Sequence, residues 1–135
     1  NATKRITRPA QVLSILLFLA MVTVSFSQNW RLFIDNLFYI VIIVFIHNAG
    51  ALGAGYLGGT LMKVPQTDRR SLTIETGIQN SGLGLIMLFN PAIFPPEIWH
   101  GHYGGMLIIT AWWGIWHIIS GLSVAYLFRR TPITE

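Results

Sequence analysis

The sequence contains no cysteine, so disulfides, thiolate metal sites and a cysteine nucleophile are excluded together. Charge is scarce as well: Asp, Glu, Lys and Arg make up only 10% of the chain, where soluble domains carry about 25%. Set against 53% hydrophobic residues and a mean hydropathy of +0.56, that shortage rules out an ordinary soluble enzyme. The same apolar content rules out disorder. Acidic residues are the rarest class, five against nine Lys and Arg in 135 residues, for a net charge of +4. This excess does not point to a nucleic-acid partner, because the cations sit at the ends of apolar runs, where they meet lipid headgroups and the cytoplasm.

What fills the chain instead is a set of apolar stretches of roughly 20 residues or more, the length that crosses a bilayer. They are Pro9–Ser27, Arg31–Met62, Ser71–Pro91 and Tyr103–Leu127. Residues 1–30 thus hold a first transmembrane segment and residues 31–135 three more, an all-α integral membrane protein. Lys4, Arg5 and Arg8 before the first run, with Ser25-Phe26-Ser27 at its end, also fit a secretory signal peptide; the remaining membrane segments would leave the class unchanged. Lys63, Arg69 and Arg70 lie between the second and third runs, and Arg129 and Arg130 follow the last. By the positive-inside rule these groups face the cytoplasm, which puts both termini there, in a multi-pass protein of the cell membrane. Trp30 and Trp99 fall in the two outer connections, at the headgroup layer that indoles favour.

The second run is too long for a simple span. About 31 residues at about 1.5 Å each make roughly 46 Å against a hydrocarbon core of about 30 Å, so it tilts strongly, breaks or extends into the cytoplasm. Its second half carries two rows of small residues at helical spacing, Gly50, Ala54 and Gly58, and Ala51, Gly55 and Gly59, which let helix backbones approach closely. The literal G-x-G-x-x-G at Gly53, Gly55 and Gly58 lacks the preceding strand that a dinucleotide loop requires, and is a false match.

Polar residues inside the apolar runs carry the functional information, since ionisable groups at membrane depth normally face a cavity or a partner. His47 and Asn48 lie in the second run, Glu75, Gln79 and Asn80 in the third, and His117 in the fourth. Were the third run an unbroken helix, Glu75 and Gln79 would share one face, a turn apart. Gly77, Gly82 and Gly84 flank Gln79-Asn80-Ser81 and lower the cost of unwinding, which predicts a discontinuous helix over 71–91. An unwound turn within a membrane frees backbone carbonyls and is tolerated only where protein or a water-filled cavity covers it. Hard oxygen ligands there suit Na⁺, and the start of the following half-helix suits a substrate anion. Glu75 alone, five residues after Arg70, also reads as an interfacial glutamate near a helix start. Gln79 and Asn80 also read as helix-to-helix glue. His47 and Asn48 read best as buried groups bonded to neighbouring carbonyls, and His117, which follows Trp112, Trp113 and Trp116, divides evenly between cavity lining and packing.

The run Glu75-Thr76-Gly77-Ile78-Gln79-Asn80 resembles the signature of the bile acid:sodium symporter family, and Trp116-His117-Ile118-Ile119-Ser120-Gly121, closed by Arg129 and Arg130, is similar to that family's final helix. The resemblance implies a transporter of about ten helices built as two inverted repeats, of which this chain would be the C-terminal part. Its first segment would be a panel-type helix and the rest core-type, with the missing N-terminal repeat or a second chain as partner. Carried over by residue, the resemblance implies that Glu75 is shared by two sodium sites, that Gln79 with the backbone oxygens of Thr76 and Ile78 belongs to the second, and that Asn80 and His117 face an organic anion. Ile118 stands where the family often has Asn, and the outer loop with Pro91, Pro95 and Pro96 is longer; both leave the anion open between bile-acid-like and smaller carboxylates. No covalent chemistry is implied. Two readings compete with symport: a small helix-packing protein assembled through the glycine rows, and intramembrane metal chemistry at His47, Glu75 and His117.

Overall fold

The computed structural model describes the backbone of residues 2–95, 97 and 101–133, with side chains from residue 7 onward. Trp99, His100 and Pro96, and the side chains of Lys4 and Arg5, lie outside the described residues. Within them every regular element is an α-helix: α1 (Ala2–Gln28), α2 (Trp30–Asp35), α3 (Leu37–Leu61), α4 (Gln66–Gly77), α5 (Ser81–Leu88) and α6 (Tyr103–Arg130). Three helices, over Thr7–Gln28, Leu37–Leu61 and Tyr103–Arg130, are long and apolar enough to cross a membrane. This is the make-up of a multi-pass membrane protein.

The overlong second run resolves by breaking. Asn36, with φ −116° and ψ 13°, separates α2 from α3, and the 25 residues of α3 span about 37 Å, a length that a tilted helix fits into a bilayer. The polar pair Asp35-Asn36, poor in helix propensity, supplies the interruption. At its other end α3 stops in a Schellman turn: Val64 N–H donates to the Gly59 carbonyl at 2.9 Å and Lys63 N–H to that of Thr60 at 3.1 Å. Lys63 takes a left-handed φ of 55°, and Pro65 follows, which cannot continue the helix. The third run starts earlier than expected, at Gln66 rather than Ser71, because polar residues at the membrane boundary keep their helix once Pro65 has set its entry. It then breaks where the glycines predict, with Ile78–Asn80 between α4 and α5 outside helix. In the first run α1 passes through Pro9 instead of beginning at it.

The chain divides into two compact units, Asn1–Asp35 with Gly82–Ala111, and Asn36–Ser81 with Trp112–Glu135. The first has a core of Val22, Phe33, Leu85, Leu88, Leu107, Ile108 and Ala111. Phe26 meets Phe33 edge to face at 4.8 Å, and the Tyr103 hydroxyl donates to the Leu88 carbonyl, the end of α5, at 2.6 Å.

In the second unit α3 packs on α4, and the structure selects one of the two glycine rows. A Cβ on Gly55 would lie 2.9 Å from Thr76 Cβ and 3.0 Å from Thr73 Cα, and one on Gly59 would lie 2.9 Å from the Arg69 stem. Gly50 and Gly58 meet nothing within 4 Å. The Ala51–Gly55–Gly59 row is therefore the internal seam, and the Gly50 row is an open face. We expect Gly55→Leu, which drives a side chain into α4 backbone, to cost about 1–3 kcal/mol of stability, read as reduced resistance to unfolding in detergent. Gly50→Leu should stay within about 0.5 kcal/mol of the parent.

Candidate ion and substrate site

The interruption between α4 and α5 is the centre of the second unit. α4 ends with Ile78 N–H still bonded to the Ile74 carbonyl at 2.9 Å. Ile78 then turns extended, with φ −92° and ψ 96°, and Ser81 N–H reaches the Gln79 carbonyl at 2.9 Å as α5 begins. Two other helices supply polar side chains to this turn. Asn48 of α3, 1% exposed, donates from Nδ2 to the Gly77 carbonyl at 2.8 Å. His117 of α6, 2% exposed, places Nδ1 at 3.1 Å from the Gln79 carbonyl. A carbonyl only accepts, so Nδ1 carries the proton, and in the neutral ring Nε2 is the acceptor.

Packing at the turn is as close as the hydrogen bonding. A Cβ on Gly77 would collide with the Leu52 side chain of α3, and one on Gly121 of α6 would lie 2.7 Å from Ile78 Cδ1. Glycines at these two positions let α3 and α6 reach the interrupted backbone. Beside them, Phe45, Asn48 and Leu52 of α3 with Trp116, Ser120 and Ser123 of α6 wall a mostly apolar cavity of about 270 Å³.

The residues that the family resemblance implies fall into two groups. Thr76 and His117 are engaged: the Thr76 hydroxyl bonds back to the Leu72 carbonyl at 2.7 Å, and the His117 ring is fixed by Gln79. The side chains of Glu75, Gln79 and Asn80 are exposed, as is that of Ile78 over part of its surface, at 47%. Glu75 and Gln79 do not share a helix face, because α4 ends at Gly77 and Gln79 follows the turn rather than the helical path.

Asn48 is a buried amide bonded to a carbonyl, as its place in an apolar run leads one to expect. His47 is not: its ring is exposed and stacks edge-on against Trp113, centroids 4.5 Å apart. Trp113 also meets His117, with centroids 5.4 Å apart, so one indole touches both imidazoles. Among the described residues no three His, Asp or Glu side chains come together, and the trio His47, Glu75 and His117 is not assembled as a metal centre. Sequence patterning gave no role to Ser120 and Ser123, which supply polar edges to the cavity; their recurrence three residues apart on the His117 helix is the signal that would have found them.

No family model and no solved structure matches the chain. Among curated proteins it is similar to the uncharacterized sodium-dependent transporter YocS of Bacillus subtilis (strain 168), with 30% identity over 108 residues. The match takes in 75% of this chain and 33% of that protein, so the chain spans about a third of the length of its curated relative.

Proposed function

We propose that this chain is the C-terminal part of a sodium-coupled symporter for an organic anion, of the bile acid:sodium symporter type, working by alternating access. The observation that carries the reading is the interruption at Ile78–Asn80, which follows Glu75-Thr76-Gly77 and leads into the apolar helix α5. The likeness to a protein named as a sodium-dependent transporter supports it from outside the structure. Where α4 ends, its unpaired carbonyls give a partial negative charge, and Glu75 lies in that last turn, a place for a small hard cation. Where α5 starts, the positive end of its dipole favours an anionic headgroup, next to Asn80.

Within this reading Asn48 and His117 occupy the Gly77 and Gln79 carbonyls, so sodium coordination falls to the Glu75 carboxylate, the Gln79 amide and the carbonyls of Thr76 and Ile78. Sodium neutralises Glu75 and holds the turn in one geometry, which raises affinity for the anion beside Asn80; by linkage the anion raises affinity for sodium equally. The first helix is a panel element, both termini are cytoplasmic, and an N-terminal repeat or second chain covers the exposed face of Glu75, Gln79 and Asn80. The competing assembly reading is left with only the open Gly50 row, because α4 occupies the Gly55 row.

Two measurements test this. In the complete transporter containing the chain, Glu75→Ala is expected to lower sodium-driven anion uptake about tenfold or more, a coupling loss on the order of 1.4 kcal/mol, at unchanged membrane abundance; sodium dependence equal to the parent's would refute the proposal. Asn48→Leu leaves the Gly77 carbonyl without its donor and should cost about 1–3 kcal/mol in stability. Its residual uptake should show a raised half-saturating sodium concentration, and an unaltered sodium curve in this variant would mean the turn does not shape the ion site.

A further inference from the structure

At the opposite end of the second unit, α3, α4 and α6 meet around a cavity of about 320 Å³ walled by Tyr56, Gln66, Arg69, Arg70, Phe128 and Thr131. Its two arginines do different work. Arg70 closes the end of α6: Nη1 donates to the Phe128 carbonyl at 2.8 Å, and Nη2 to the Thr131 carbonyl at 2.9 Å and hydroxyl at 3.0 Å. The Phe128 carbonyl is one of the last-turn acceptors of α6, and the Thr131 contacts hold the chain that leaves the helix, so Arg70 is committed to the fold.

Arg69 is not committed in this way. Its stem crosses Gly59, where a Cβ would lie 2.9 Å from Arg69 Cγ, and its guanidinium sits 5.1 Å above the Tyr56 ring. Its hydrogen-bond contact is to a neutral group, the Thr60 hydroxyl, at 3.3 Å. Nε is buried and, among the described residues, has no acceptor. A guanidinium that lies over an aromatic ring, lines a cavity and meets a neutral hydroxyl rather than a carboxylate keeps its charge available for an oxyanion at its Nη edge. Gln66, in the first turn of α4, also lines the cavity, and the acid of that turn, Asp68, is not among its walls.

We infer that this cavity binds the phosphate of an anionic phospholipid headgroup in the cytoplasmic leaflet. Phosphate matches the planar donor fork of Arg69. The lipid source follows from the surroundings: Tyr56 stacks on Phe128 with centroids 6.5 Å apart to form an apolar wall, and Leu127, which lines the cavity and is 61% exposed, gives it an apolar edge for an acyl chain. Basic pockets between membrane helices on the cytoplasmic side are suited to such headgroups. The inference stands independently of the sodium site.

The test is lipid retention by the intact protein in neutral detergent, read by native mass spectrometry and by melting temperature with dioleoylphosphatidylglycerol, dioleoylphosphatidylcholine or inorganic phosphate added. The parent should retain phosphatidylglycerol in preference to phosphatidylcholine and melt higher with it. Arg69→Gln should lose that retention by about tenfold, while Arg129→Gln, exposed and outside the cavity walls, should keep it. Equal loss in both variants would reduce the effect to diffuse surface charge and overturn the site. Stabilisation by inorganic phosphate alone would overturn the lipid assignment in favour of a soluble phosphate compound. The preference of the parent between the two lipids needs no variant, and its absence overturns the inference even if Arg69→Gln does not fold.

Discussion

A backbone that leaves the helix inside an apolar segment must still place its carbonyls and N–H groups, because hydrocarbon offers them nothing and each unplaced group costs several kcal/mol. That constraint organises the second unit of this chain. The carbonyls of Gly77 and Gln79 are answered by Asn48 from α3 and His117 from α6, side chains far off in sequence. Both donors are almost completely buried, so each is as dependent on the turn as the turn is on it. Remove the interruption and an amide and an imidazole are stranded in the core; remove either side chain and a carbonyl is.

The glycines belong to the same device. Hydrogen bonds of about 3 Å across helices require the backbones to come closer than side chains normally allow. Gly55 against Thr76, Gly77 under Leu52 and Gly121 under Ile78 provide that approach. Small residues and polar residues, which composition treats as separate signals, are here two halves of one contact. Because Asn48 and His117 are used up in holding the turn, the groups facing outward are Glu75, Gln79 and Asn80. A carboxylate and two amides on an open face are costly if lipid covers them, which is the physical ground for proposing that they meet an ion, an anion and further protein.

At the other end of the same unit, positive charge is divided by geometry rather than by residue type. Arg70 serves the α6 carbonyls, and Arg69, its neighbour in sequence, lies over Tyr56 with Nε unspent. Adjacent helical residues point about 100° apart, so two arginines that hydropathy counts as one basic cluster serve different purposes. The positive-inside pattern reports that the cluster belongs at the interface, but is silent about which guanidinium is free to hold a ligand.

Much of this chain was legible from its residues: the membrane class from the shortage of charge, three of the four apolar runs as helices long enough to span, and the interruption of the third run from Gly77, Gly82 and Gly84 around Gln79-Asn80-Ser81. These are local properties, set by transfer free energy and backbone freedom over a few residues. Other features required the folded unit. The second run broke at Asn36, α4 began ahead of Ser71, the Gly55 row rather than the Gly50 row became the seam, and His47 proved exposed against Trp113. Asn48 could be read as bonded to some carbonyl, but only the tertiary structure decided that the carbonyl is that of Gly77, 29 residues away, as it decided that His117 serves Gln79, 38 residues away. A hydrogen bond is fixed by distance and direction between two atoms, and between separate helices those are set by packing, which no local pattern encodes.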